Sequence, residues 1–476
     1  MSDTTVQRSE SPYIPLGPFK VRLPFIHYKI ELPDYLQGLL MCAVDLAAIP
    51  LMTELLGMPF EVALAVVMLN GLLYLVHHLL GDPTVPGWIT PAVPLLMAYC
   101  AQFPIGPERV HALIAFQLML GVFSIALGAT GMAKKVVEYV PSAIKSGIIV
   151  GAGLSAVIAV FQVGGKFNVL PWTISIAVGI AFYLIFSQHF NELKQRNRFW
   201  WNFAKLGILP IILLAVVIAP LFGEAPWPTI QWGISKPDFA GLWSNYTVFG
   251  LGMPPLSMFI SALPTMLAVY IIVFGDVLSA KSLLDEAETV RTDEVVDYNA
   301  DRSHLIFGAR NAFMSVFGPD VAMCGPKWAA MLVVVIERFK GGPKAMKSII
   351  GGVGSFRWGT NTGLLLLPVV TLVQPILGVA LSLTLLIQGY VSVRLGVLEA
   401  RSQRDLGIAG VIGVKGASWA FGIGVVLCLL IYGKNFFKGE VDGTFAKDLK
   451  AADAKPANGA ESPTATKRVT EEAMAD

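Results

Sequence analysis

A lysine stands at the head of an apolar run too short to cross a bilayer. Cys324-Gly325-Pro326-Lys327 introduces the run, which extends over 328–336. The N-terminus of a helix already offers unpaired N–H donors and a positive partial charge. An ammonium added there is disfavoured unless an anion joins it, and a charge at mid-bilayer costs roughly 2.5–3.5 kcal/mol on insertion scales. Lys327 therefore reads as one element of an anion site, or else as a cation that snorkels or pairs with Asp320 or Asp276. A second short run, "GWITPAVPLLMAYC", begins at Gly87 with Thr90-Pro91 at its head. Trp88, Thr90, Ala92 and Val93 surround that head, where backbone N–H groups would face the same ligand. With Cys324, Gly325, Lys327 and Trp328 they form the candidate solute-binding set.

Three more charges fall in apolar segments. Asp45 and Asp276 suit a proton or sodium ion coupled to transport, since carboxylates inside a membrane mark relays and ion sites; the plainer reading pairs them with Lys327 or Arg357. Arg357, in "GSFRWGTNTG", reads as a second cation on the solute path or as the mark of a break in its segment. Arg310 and Lys145 lie where snorkelling accounts for them, and His77 and His78 read as a structural pair at a membrane edge. The four cysteines form no CxxC pair, so no metal site or disulfide framework is expected, and no cofactor. GxxxxGK[ST], HExxH and GxSxG are all absent, which argues against an enzyme and against direct use of ATP.

These residues must be positioned by membrane helices. The chain is 55% hydrophobic and 14% charged, against about 25% charged in an average soluble domain. Apolar segments fall near 33–56, 58–80, 91–103, 108–131, 139–162, 170–188, 203–222, 260–283, 303–317, 326–338, 344–370, 373–396, 404–414 and 416–433. Basic residues cluster in alternate loops (Lys134 and Lys135; Lys194, Arg196 and Arg198; Lys281, Arg291 and Arg302; Arg338, Lys340 and Lys344; Arg394, Arg401 and Arg404), which predicts cytoplasmic termini if both short segments count as crossings. Residues 1–32 are a polar lead with an amphipathic stretch at 19–30. Residues 434–476 have the composition of a disordered tail, with no C-terminal regulatory domain expected.

The chain also repeats. Pro141 follows Pro91 by 50 residues and Pro375 follows Pro326 by 49; Asp45 follows Pro33 by 12 and Asp276 follows Pro264 by 12. Seven segments per half is odd, so the halves must be inverted relative to one another, and paired interrupted segments then point to a transporter site. Glycine-rich "GAGLSAV" in the fifth segment reads as close helix packing rather than phosphate binding.

With "GWITPAVPLL", "VPSAIKSGIIVGAGLS", "FGARNAFMSVFGPDVAMCGPKWAA" and "VQPILGVALSLTLLIQGY", the chain resembles the superfamily of sulfate permeases, bicarbonate transporters and uracil/xanthine permeases over nearly all of 33–433. The resemblance implies an all-α polytopic fold of about 14 segments in a 7+7 inverted repeat. A core (33–131 and 260–370) would hold the solute between two half-helices preceded by short extended strands. A gate (139–222 and 373–433) would form a homodimer, and 223–259 would be an external loop. The expected activity is secondary active transport of a small anion (sulfate, bicarbonate, carboxylate or sulfonate) across the inner membrane, coupled to H+ or Na+, with no nucleic-acid partner. The alternative is a nucleobase proton symporter, for which Asp276 would be essential and Lys327 dispensable. A third class is a non-transporting membrane sensor. Where nucleobase permeases carry a glutamate at the head of segment ten, this chain has Gly325-Pro326-Lys327.

Overall fold

The computed structural model describes residues 9–204, 206–413 and 417–435. The protein is an all-α polytopic membrane protein, with helices at all fourteen expected positions. The first half contains α1 (Leu32–Leu46), α2 (Ala48–Leu56), α3 (Phe60–Leu79), a 3-10 turn at Thr90–Ala92 leading into α4 (Val93–Cys100), and α5 (Pro107–Ala129). It continues through α6 (Met132–Tyr139), α7 (Ser142–Phe161), α8 (Pro171–Phe186), α9 (Gln188–Arg196), α10 (Arg198–Ala204) and α11 (Leu209–Leu221). The linking segment folds two short helices, α12 (Phe239–Tyr246) and α13 (Val248–Leu251). The second half contains α14 (Leu256–Val290), α15 (Ala300–Phe317), α16 (Ala329–Lys340), α17 (Ile349–Leu365), α18 (Leu367–Val373), α19 (Leu377–Glu399), α20 (Gln403–Gly413) and α21 (Ala417–Tyr432).

Five stretches among the described residues are long and apolar enough to cross a membrane, or up to eight when bent pairs count as single spans. The remaining positions fall short for visible reasons. Helices α4 and α16 span 8 and 12 residues, and α15 carries Asp301, Arg302 and Arg310. Helix α14 bends by 42° between Leu267 and Val269 and carries Pro264 in the turn before the bend.

Two packing groups result. Helix α1 packs on α17, α5 on both α15 and α14, and α3 on α17; separately, α7 packs on α19 and α20, and α8 on α11 and α19. Glycines set the closest crossings. A Cβ on Gly359 would lie 2.1 Å from the Tyr35 carbonyl oxygen, and one on Gly153 would lie 2.8 Å from that of Gly389. The glycine-rich stretch of α7 is thus a packing surface, as small residues in membrane helices generally are.

The halves run in opposite directions. Glu31, just before α1, contacts the end of α16 through Arg338 at 2.8 Å. The end of α14 lies on that same face, where Arg291 donates to the Phe339 carbonyl at 2.8 Å. Helix α1 therefore starts where its counterpart α14 ends.

The lead at 19–30 is not a continuous amphipathic element. Strands β1 (Ile14–Leu16) and β2 (Phe19–Val21) form a hairpin that turns at Gly17, whose φ of 57° suits glycine. The Lys20 and Arg22 N–H groups continue the pairing onto the Leu80 and Leu79 carbonyls at 3.1 and 2.8 Å. Phe25 and Ile26 at the tip project apolar side chains outward, as do Ile14, Leu16 and Leu23. The expected disordered tail lies, from 436 on, outside the described residues.

Candidate functional site

The site is built where two half-helices meet head to head. Extended backbone leads into each, and the two leads pair: Gly87 and Gly325 form an antiparallel bridge. Gly325 N–H donates to the Gly87 carbonyl at 2.6 Å, Trp328 N–H to Val85 at 2.5 Å, and Ile89 N–H to Ala322 at 3.2 Å. This satisfies irregular backbone that lipid could not. The pairing is an isolated bridge rather than full strands, because Pro86 and Pro326 supply no donors. A Cβ on Gly87 would lie 2.5 Å from the Trp328 Cβ, so the approach requires glycine there.

From this meeting point the helices diverge. The far end of α4 reaches the start of α14, where the Tyr99 hydroxyl donates to the Met258 carbonyl at 3.2 Å. The far end of α16 reaches the face that carries the hairpin. Helix α16 starts slightly later than its proline suggested, with Trp328 as its N-cap, so Lys327 sits just outside the helix.

Trp88, Ala92, Val93, Cys324, Gly325, Lys327 and Trp328 are all buried around the junction, and Thr90 is partly so. The Lys327 Nζ lies 3.6 Å from an Asp276 carboxylate oxygen and donates to the Ser279 hydroxyl. Asp276 and Ser279 are one helical turn apart on α14, which presents both to the same cation. Arg357 donates to Asp45 Oδ2 at 3.3 Å and to the Pro86 carbonyl. Its guanidinium carbon lies 4.0 Å from the centre of the Tyr74 ring and 4.9 Å from that of Trp328. Both acids therefore hold a cation, as the plainer sequence reading allowed. Asp320, the other acid considered for Lys327, instead accepts from Asn70 Nδ2 at 2.5 Å and from Ala322 N–H at 2.9 Å.

Several buried polar atoms at the junction have no hydrogen-bond partner among the described residues: Asp45 Oδ1, Arg357 Nε, Trp328 Nε1 and, behind Tyr74, Arg310 Nε. Buried polar atoms are nearly always paired, so a cluster of orphans, mostly donors, suits a ligand that accepts hydrogen bonds.

One sequence expectation needs correction. Arg310 does not snorkel. It is buried, donates to His77 Nε2 at 2.8 Å and Asn70 Oδ1 at 3.1 Å, and stacks 4.2 Å from the Tyr74 ring centre. His77 and His78, in the last turn of α3, are fully buried within the protein. Arg310 can only donate, so His77 Nε2 accepts and Nδ1 carries the proton to Asp82 Oδ2, 3.0 Å away. The physical reason is α15, which lies inside the bundle against α5 and offers Arg310 partners within the protein. Lys145 meets Glu399 at 3.9 Å.

Sequence reasoning also passed over the brace behind the second head. Asn311 clamps Cys324 through both backbone groups, at 2.7 and 3.0 Å, and Gln117 Oε1 accepts from Asp320 N–H at 3.1 Å. These hold an irregular segment in which Met323 adopts φ 53°. The available signal was amides within apolar helices.

No protein-family model matches the chain, and no curated protein matches it. Solved structures do. One described as the overall structure of SLC26A9 gives a TM-score of 0.49 at 16% identity, covering 84% of this chain and 65% of that one. The murine SLC26A9 anion transporter in the inward-facing state gives 0.46 at 16% identity, covering 85% and 69%. The transmembrane domain of the cyanobacterial bicarbonate transporter BicA gives 0.42 at 17% identity, covering 86% and 97%. The chain spans about 65% of the length of the first of these.

Proposed function

We propose that the chain is a secondary active transporter of a small anion, held between the heads of α4 and α16 at mid-membrane. The observation that carries this reading is the junction itself. Two helix heads converge on a buried point beside a buried lysine and several unpaired donors. An incoming anion would compete with Asp276 for Lys327, and a proton or sodium ion taken up by the released carboxylate would keep the site neutral. Asp45 offers the same chemistry beside Arg357. The likeness to solved transporters named for anions and bicarbonate agrees with this class.

The core would be the group carrying the half-helices and the gate the α7–α11 and α19–α21 group, with alternating access produced by rigid motion between them. Glu286 on α14 pairs with Lys340 on α16 and, at 2.7 Å, with Arg394 on α19. This core-to-gate contact would open during that motion. We place the protein in an inner membrane with cytoplasmic termini, as the basic loops suggest, and a homodimer would form through the gate. The nucleobase alternative finds less support, because it needs a carboxylate open to a ring N–H and Asp276 already holds Lys327.

Thermal unfolding of the purified chain against a panel of anions and nucleobases tests the reading, because a ligand specific to the folded state raises the midpoint with the logarithm of its concentration. Anions should stabilise the native chain, and Lys327→Ala should abolish that response. Stabilisation by nucleobases alone, undiminished in the variant, would refute it.

A further inference from the structure

On the face opposite the hairpin, a cavity of about 460 Å³ opens between α1–α2 and α18–α19. Leu46, Ile49, Pro50, Val370 and Leu377 supply its apolar wall. Leu46 is the residue after Asp45, and Ile49 lies one turn beyond Asp45 on the same helical face, across the single-residue joint at Ala47. The apolar wall thus starts within a turn of the Asp45–Arg357 pair, where Asp45 Oδ1, Arg357 Nε and the neighbouring Trp328 Nε1 lack partners.

We propose, resting on the anion-site reading above, that the solute is a monoanion with an apolar body, an organic carboxylate or sulfonate, and that this cavity receives the body. Small-molecule sites are typically 300–1,000 Å³, mostly apolar, with a few polar groups that fix orientation. The junction residues do not line the cavity, but its wall begins one residue past Asp45, and wall and junction together have that composition. A compact inorganic oxyanion would gain nothing from the apolar wall and would lose hydration beside it. The polar lining residues, Thr53, Glu54 and Gln374, include no cation, and among the described lining residues none is basic. The carboxylate of Glu54 disfavours a second negative charge on the part of the solute farthest from Arg357, which selects one charge at one end.

The test is a homologous series on the purified full chain, read by thermal midpoint against concentration: acetate, butyrate, hexanoate and benzoate, with sulfate, bicarbonate and the neutral hexanamide alongside. Apparent affinity should rise about fourfold for each added methylene until the cavity is filled, and hexanamide should fall well below hexanoate. Ile49→Trp and Leu377→Trp fill the cavity from opposite walls. Either should reduce hexanoate to the level of acetate within the same variant, so one variant that fails to fold does not remove the test. Stabilisation by sulfate or bicarbonate, with a flat carboxylate series insensitive to both tryptophans, would overturn this inference and leave the anion reading standing. Equal binding of hexanamide and hexanoate would overturn the inference by showing that the charge is not read. Stabilisation by nucleobases alone would overturn the anion reading beneath it.

Discussion

The two buried ion pairs occupy equivalent places in the internal repeat, yet they are built differently. Asp45 and Asp276 each follow a proline by twelve residues on counterpart helices. Asp45 faces an arginine that also bonds the Pro86 carbonyl and packs against Tyr74 and Trp328. That guanidinium ties together α1, α3, α17 and both half-helix leads. Asp276 faces a lysine whose ammonium also donates to the Ser279 hydroxyl. A planar fork held at several points is a fixture, whereas an ammonium on a flexible stem can change partners. Under the proposed function, the difference would assign assembly of the junction chiefly to Arg357 and exchange between carboxylate and solute chiefly to Lys327.

The largest expected effect comes from breaking the fixture. Arg357→Met should cost about 3–5 kcal/mol, because it strands a buried carboxylate, and adding Asp45→Asn should recover only part of that, since the Pro86 and aromatic contacts stay lost. Lys327→Met with Asp276→Asn should instead recover most of the stability that Lys327→Met alone loses, while remaining blind to anions. Thermal midpoints of the wild type and these four variants measure both recoveries, and equal recovery in the two pairs would erase the distinction. Gly87→Ala should cost about 1–3 kcal/mol by pushing the lead away from Trp328, visible as a lower midpoint and weaker anion stabilisation.

How much of this was legible depends on what kind of signal each feature leaves. Pro91, Pro326 and the paired acids stand out because prolines and charges are conspicuous in apolar sequence, so the half-helices and the repeat could be read directly. Which cation each acid would take could not, since Asp45 and Arg357 are 312 residues apart and meet only through the α1–α17 packing. Arg310 was misread for the same reason, its partner His77 lying 233 positions away. The hairpin was missed because its Gly17-Pro18 turn is flanked by strands of only three residues, too short for alternation to declare itself.

Smaller effects sharpen the comparison by leaving both junction pairs intact. Glu286→Gln removes the ion pairs to Arg394 and Lys340. It should alter transport rate in proteoliposomes with little change in anion affinity, and a matching loss of affinity would place Glu286 in the site rather than between the groups. Glu294, in the segment joining α14 to α15, accepts from the Ser11 hydroxyl at 3.1 Å and Ile349 N–H at 3.3 Å. Burial pushes its carboxyl up to about 7. The folded chain therefore holds this proton where the unfolded chain has released it, so stability should fall as pH rises from about 4.5 through 7. Glu294→Gln should flatten that slope, and an unchanged slope would show that another group sets it.

The central claim is that two short helices touch head to head inside the bilayer with Lys327 beside the contact. Electron cryomicroscopy of the full chain in lipid nanodiscs measures this directly. The account predicts continuous density from Gly87 to Gly325 at the bilayer midplane, with the Trp328 side chain buried beside it. Separated helix heads, or Trp328 at the headgroup level, would contradict it.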